Sequence, residues 1–103
     1  MKWLTTILIA WTVITGARAE ENVRVMSFNL RYINPGDKAE KTWIFRRDQV
    51  AAVMKQDAAD FIGVQEAFRK MLDDVKARLP DYAEIGVGRE NGKEQGEYSA
   101  ILY

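Results

Sequence analysis

Between residues 60 and 79 the apolar spacing changes from the period of a strand to that of a helix. In DFIGVQE (60–66), Phe61, Ile62 and Val64 read as a short buried strand that ends on Gln65 and Glu66. Phe68, Met71, Leu72, Val75 and Leu79 then recur at i, i+3, i+4, i+7 and i+11, the stripe of an amphipathic helix, and Pro80 stops it. A strand feeding directly into such a helix commits the chain to layers of helix on sheet. The flanks agree. Val23 to Phe28 is β-rich and closes on Asn29, and Trp43 to about Gln56 predicts a helix. In that helix Trp43, Arg47, Val50 and Met54 share a face, with Ala51 and Val53 adding apolar surface. Residues 83–87 and 97–103 read as third and fourth strands. Asn34-Pro35-Gly36-Asp37 marks a turn, and the glycine-rich stretch 88–96 a loop. The order strand, helix, strand, helix, two strands is that of the α/β class.

A strand–helix–strand unit favours parallel pairing with a right-handed crossover. Asn29 and Glu66 would then end neighbouring strands at the same edge of the sheet, where open α/β sheets tend to bind ligands. A carboxylate and an amide oxygen are hard donors suited to Mg2+, Mn2+ or Ca2+ rather than to soft metals. Two plainer readings stand beside this one. Glu66 could simply favour the N-terminus of the next helix through its dipole, and Asn29 could be an ordinary turn residue.

Composition narrows the chemistry. The chain has 103 residues, 48% apolar and 29% charged, with 15 basic and 15 acidic side chains, so no basic field supports tight nucleic-acid binding. It contains no histidine and no cysteine. Serine–histidine–acid and cysteine–histidine catalysis and Cys/His zinc sites are thereby excluded within it. The N-terminus has the pattern of a secretory signal peptide over residues 1–19: Lys2, an apolar run from Trp3 to Thr15, Gly16, then Ala17-Arg18-Ala19. That run of thirteen residues, with its scattered threonines, is too short to span a bilayer, which takes about 20; an uncleaved anchor is the alternative. Cleavage would start the mature chain at Glu20, and loss of Lys2 and Arg18 leaves 13 basic against 15 acidic residues, a net charge of −2. The expected location is periplasmic or extracellular, with no lipid anchor, because no lipobox cysteine is present, and with no transmembrane segment after cleavage.

VRVMSFNLRY (23–32), FIGVQEA (61–67) and GRENGKEQGEYSAILY (88–103) together resemble the endonuclease/exonuclease/phosphatase family. TWIFRRDQV (42–50) is similar to the first helix of its secreted bacterial branch. The resemblance implies a four-layer α/β/β/α two-sheet sandwich, of which residues 20–103 would be the N-terminal part. It implies metal-assisted hydrolysis of a phosphate mono- or diester, with Mg2+ or Mn2+ as cofactor. Glu66 matches the family's metal-binding glutamate, and Asn29 the asparagine of the metal and phosphate site. Arg31, Arg89 and Tyr98 are further candidates for contact with a substrate phosphate. A solvated arginine, a pairing of Arg89 with Glu90 or Glu94, and a half-buried strand tyrosine are the respective alternatives. The histidine–aspartate and aspartate–asparagine motifs of the family's later half are absent from this chain. The expectation is therefore an N-terminal fragment, inactive alone, of an enzyme that is monomeric at full length. A non-catalytic exported binding module, or a decayed remnant, is the competing reading.

Overall fold

The computed structural model describes Gly16 and residues 21–103. The leader expected over residues 1–19 lies, but for Gly16, outside the described residues. The elements run in the order β1 (Val25–Asn29), α1 (Trp43–Asp57), β2 (Phe61–Ala67), α2 (Arg69–Arg78), β3 (Glu84–Ile85) and β4 (Tyr98–Leu102). A 3₁₀ turn, Ala39–Lys41, precedes α1. The sheet order is β1-β2-β4-β3. β1 and β2 are parallel, with Asn29 opposite Gln65, whereas β4 is antiparallel to both β2 and β3. The sheet is therefore mixed. Only the α1 crossover demands parallel pairing, and the chain from β3 to β4 turns back on itself as a long-looped hairpin.

Both helices cover one face. Ile62, Val64, Ala100 and Leu102 project from the sheet onto Val50, Ala51 and Met54 of α1 and Met71, Leu72 and Val75 of α2, all buried. Each large apolar side chain fully buried this way contributes roughly 1.5–3 kcal/mol. Val53, expected to add apolar surface to that face, is exposed instead. It stands 100° from Met54 around the helix, beyond the edge of the stripe. Arg47, on the same face as Trp43, makes a partly buried pair with Asp74 of α2 at 3.4 Å. Trp43 anchors the start of α1 and donates its indole N–H to the same carboxylate at 2.8 Å. Burial works to raise the Asp74 pKa, but the bonds from Trp43 and Lys70 outweigh it and hold the carboxyl below its usual value.

The opposite face is open. Val25 of β1, Phe61 of β2, Ile101 of β4 and Ile85 of β3 are all exposed. The described residues form a single α-on-β pair of layers and provide no second sheet. β3 is also shorter than the sequence suggests, because only Glu84 and Ile85 find partners on β4 before Gly86 leads into the loop.

Candidate functional site

The carboxyl ends of β1 and β2 meet at one edge. Leu30 donates its N–H to the Gln65 carbonyl (3.0 Å), extending the parallel ladder by one bond, and buries its side chain completely. Between the pairs Val64–Ala100 and Ala67–Tyr98, two residues of β2, Gln65 and Glu66, oppose the single Ser99 of β4. The extra residue is a β-bulge. Val64 and Ala67 both remain buried, while Gln65 and Glu66 are both partly exposed between them. Strict alternation would have turned Glu66 to the helix side with Ile62 and Val64. The bulge re-aims it, as bulges beside functional sites commonly do. The backbone at Glu66 is left-handed, with φ +57°. This conformation suits glycine and costs an L-residue on the order of 1–2 kcal/mol.

The chain beyond Asn29 folds back over both side chains. Arg31 donates its backbone N–H to Asn29 Oδ1 at 2.7 Å, and Tyr32 donates its own to Glu66 Oε2 at 3.2 Å. Arg31 too is left-handed, with φ +56°. Its guanidinium forks onto Asp37, with contacts of 3.2 and 2.6 Å. That hydrogen bond holds the Asp37 carboxyl below its usual pKa. Asp37 sits on the turn read from Asn34-Pro35-Gly36, closed by its N–H to the Asn34 carbonyl at 3.0 Å. The Arg31 side chain is thus committed within its own loop.

A cleft of about 540 Å³ opens on the Glu66 side. Gln65, Glu66, Arg89, Glu97, Tyr98 and Ser99 line it; Asn29 and Arg31 do not. Arg89 pairs with Glu97 at 2.8 Å rather than with Glu90 or Glu94, because the 88–97 loop folds onto itself. Its neck is too tight for a side chain: a Cβ at Gly88 would lie 2.2 Å from the Gln95 carbonyl oxygen. Tyr98 is buried, and its hydroxyl donates to the Lys93 carbonyl at 2.9 Å, so its one proton braces the loop. Arg69, at the start of α2, lies over the Tyr98 ring at 5.2 Å and pairs with Glu84 at 2.5 Å. Burial favours a higher Glu84 pKa, yet the bonds from Arg69 and Lys76 keep it low.

Arg46 enters the sequence pattern only as one of the paired arginines in TWIFRRDQV (42–50). It is half-buried, over the Trp43 ring at 5.5 Å, and donates to three backbone carbonyls of the β1–α1 loop. Carbonyls carry no side-chain signature, and only the proximity of a second arginine and a tryptophan hinted at a role. Among the described residues, no group of three or more histidine, cysteine, aspartate or glutamate side chains is placed to hold a metal. No helix among them is long and apolar enough to cross a membrane.

No family model and no curated protein matches the chain. Solved structures do. An endonuclease/exonuclease/phosphatase from Bacteroides vulgatus is 40% identical with a TM-score of 0.77, over 82% of this chain and 32% of that one. A protein of the same family from Bacteroides thetaiotaomicron is 43% identical (TM-score 0.75; 79% and 30% covered). A mannosyl-6-phosphatase from that organism is 42% identical (TM-score 0.75; 80% and 31%). The likeness is one of sequence and of fold alike, helices on a mixed sheet at 40–43% identity. Over the residues it spans, the chain belongs to the endonuclease/exonuclease/phosphatase family. It spans about a third of the length of the structures it matches.

Proposed function

We propose that this chain contributes the first strand pair and its site edge to an exported, divalent-metal-dependent hydrolase of phosphate esters. The supporting observation is the convergence of Asn29 and Glu66 at one sheet edge, with β2 distorted so that Glu66 faces outward. The donors suit a share of an Mg2+ or Mn2+ site. Mg2+ usually takes one or two carboxylates, keeps several waters and shares phosphate oxygens with its substrate. Glu66 Oε2 already accepts one bond from the Tyr32 amide, which leaves Oε1 with both lone pairs as the better donor to the cation. Asn29 Oδ1 retains a lone pair beyond the one used by Arg31, and its NH₂ is a donor for a phosphate oxygen. When bound, the cation supplies neutralisation of the charge that builds up as the phosphate ester breaks. Arg89, on the rim of the cleft, becomes a substrate contact by exchanging Glu97 for a phosphate. The hydroxyl of Tyr98 is the least suited of the candidates, since its proton is already used.

The remaining ligands and the group that activates water are not supplied by the described residues, so we assign them to further parts of a longer, monomeric enzyme. The open apolar face of the sheet fits the same picture, as the seat of a second sheet in a four-layer sandwich. This chain alone is expected to be inactive. The relative that is a mannosyl-6-phosphatase makes sugar phosphate monoesters the first substrates to assay, with a phosphodiester as comparison. In the intact gene product, Glu66→Ala should abolish Mg2+-dependent release of phosphate. Undiminished hydrolysis in that variant would refute the role of Glu66, and a wild type that hydrolyses neither ester class would favour the binding module. Export is checked by N-terminal sequencing of the secreted protein, which should begin at Glu20.

A further inference from the structure

We infer that Arg46 is a positioning residue for Asn29 and Glu66, acting through two consecutive peptide planes. The inference rests on the reading of those two side chains as site residues. The Arg46 Nη1 donates to the Leu30 carbonyl at 2.7 Å, and Nη2 donates to the Arg31 carbonyl at 3.0 Å. The N–H of the first of these peptide units is that of Arg31, which donates to Asn29 Oδ1; the N–H of the second is that of Tyr32, which donates to Glu66 Oε2. A peptide unit is planar, with its C=O and N–H directed oppositely. Fixing the carbonyl end of each plane therefore fixes where its N–H points. One guanidinium grips two planes from behind, and their far ends hold the two candidate ligands.

Three further observations make this a built arrangement rather than a chance contact. Arg46 Nε donates to the Lys41 carbonyl at 2.8 Å, so the same group also ties down the far end of the loop. The Trp43 ring beneath it, 5.5 Å away, restricts the guanidinium. The left-handed backbone of Arg31 between the two planes is unfavourable for an L-residue and persists only where its surroundings over-determine it. Bonds at the carbonyl ends also polarise the N–H groups and strengthen the bonds they donate. A lysine at 46 would bring the charge without the planar fork, and could not engage three carbonyls in this geometry.

The test uses the intact protein and two readouts: hydrogen exchange at the Arg31 and Tyr32 amides, and Mn2+ affinity by paramagnetic resonance. Arg46→Lys should speed exchange at both amides by about tenfold or more while amides in the middle of α1 keep wild-type rates. It should weaken Mn2+ binding about 10–100-fold, the usual effect of losing a partner that orients a ligand. Arg46→Ala should show the same losses, with added ethylguanidinium slowing exchange again. Wild-type exchange at Arg31 and Tyr32 in Arg46→Lys would overturn the inference. So would faster exchange with unaltered Mn2+ affinity. Glu66→Gln separates the two levels: if it binds Mn2+ as tightly as wild type, the metal reading of Glu66 fails, and the exchange rates alone then decide the clamp.

Discussion

Thirteen residues, 30–42, carry the chain from β1 to α1, whereas Phe68 alone carries it from β2 to α2. Both connections deliver a candidate ligand to the same sheet edge. The long one is held from outside its own backbone, by the buried Leu30 and by side-chain bonds from Arg46 and between Arg31 and Asp37. The short one is held by the shape of its own backbone, through the bulge and the left-handed Glu66, with Ala67 wedged into the core. A long loop has conformations to lose and needs ties to suppress them. A one-residue connection has almost none, and aims its side chain by accepting strain.

This contrast is open to attack, most forcefully at Leu30. Truncating it to alanine leaves a cavity beneath the long connection and should cost about 2–5 kcal/mol, measured as a lower urea midpoint with an unchanged m-value. Ala67→Leu tests the short connection by overfilling it, with an expected cost of about 1–3 kcal/mol. Equal tolerance at both positions would dissolve the distinction. At Glu66 the informative comparison is between two replacements. Glu66→Gly should be more stable than Glu66→Ala by about 1 kcal/mol, since both lose the carboxylate and only glycine relieves the left-handed backbone. An alanine variant as stable as the glycine one would show that the backbone there is not strained.

The smallest effect concerns pH. The Asp37 pKa is lowered in the folded state, so its contribution is complete above the ordinary carboxylate value of about 3.9 and is lost as pH falls through the folded value. Protection of loop amides, taken relative to their intrinsic exchange rate at each pH, should therefore fall on acidification. In Asp37→Asn that change should be absent, and global stability at neutral pH nearly the same.

The elements that sequence made legible are those in which side-chain pattern and packing coincide. The α2 stripe, Met71, Leu72 and Val75, is buried as its spacing predicts, and Pro80 follows its end. Asn29 and Glu66 were visible as strand ends because polar residues interrupt apolar runs. What was hidden depends on backbone. The bulge has no glycine to announce it, so FIGVQEA reads as a plain strand through Glu66. Arg46 binds carbonyls, which every residue has. Arg89 finds Glu97 instead of a nearer acid because the loop closes at Gly88 and Gly96, a path set by several turns at once. The open sheet face was not legible either, since Val25, Phe61, Ile101 and Ile85 are as apolar as residues of a covered one.

The left-handed backbone at Glu66 also carries a consequence for inheritance. A glutamate codon becomes a glycine codon by one transition at its middle base. The backbone-preferred residue and the chemically useful one are therefore neighbours in the genetic code. Drift under selection for folding alone would move this position to glycine in a single step. A glutamate kept there across many lineages would record continuous purifying selection for the carboxylate, and copies of the gene released from that selection should show glycine at this position early.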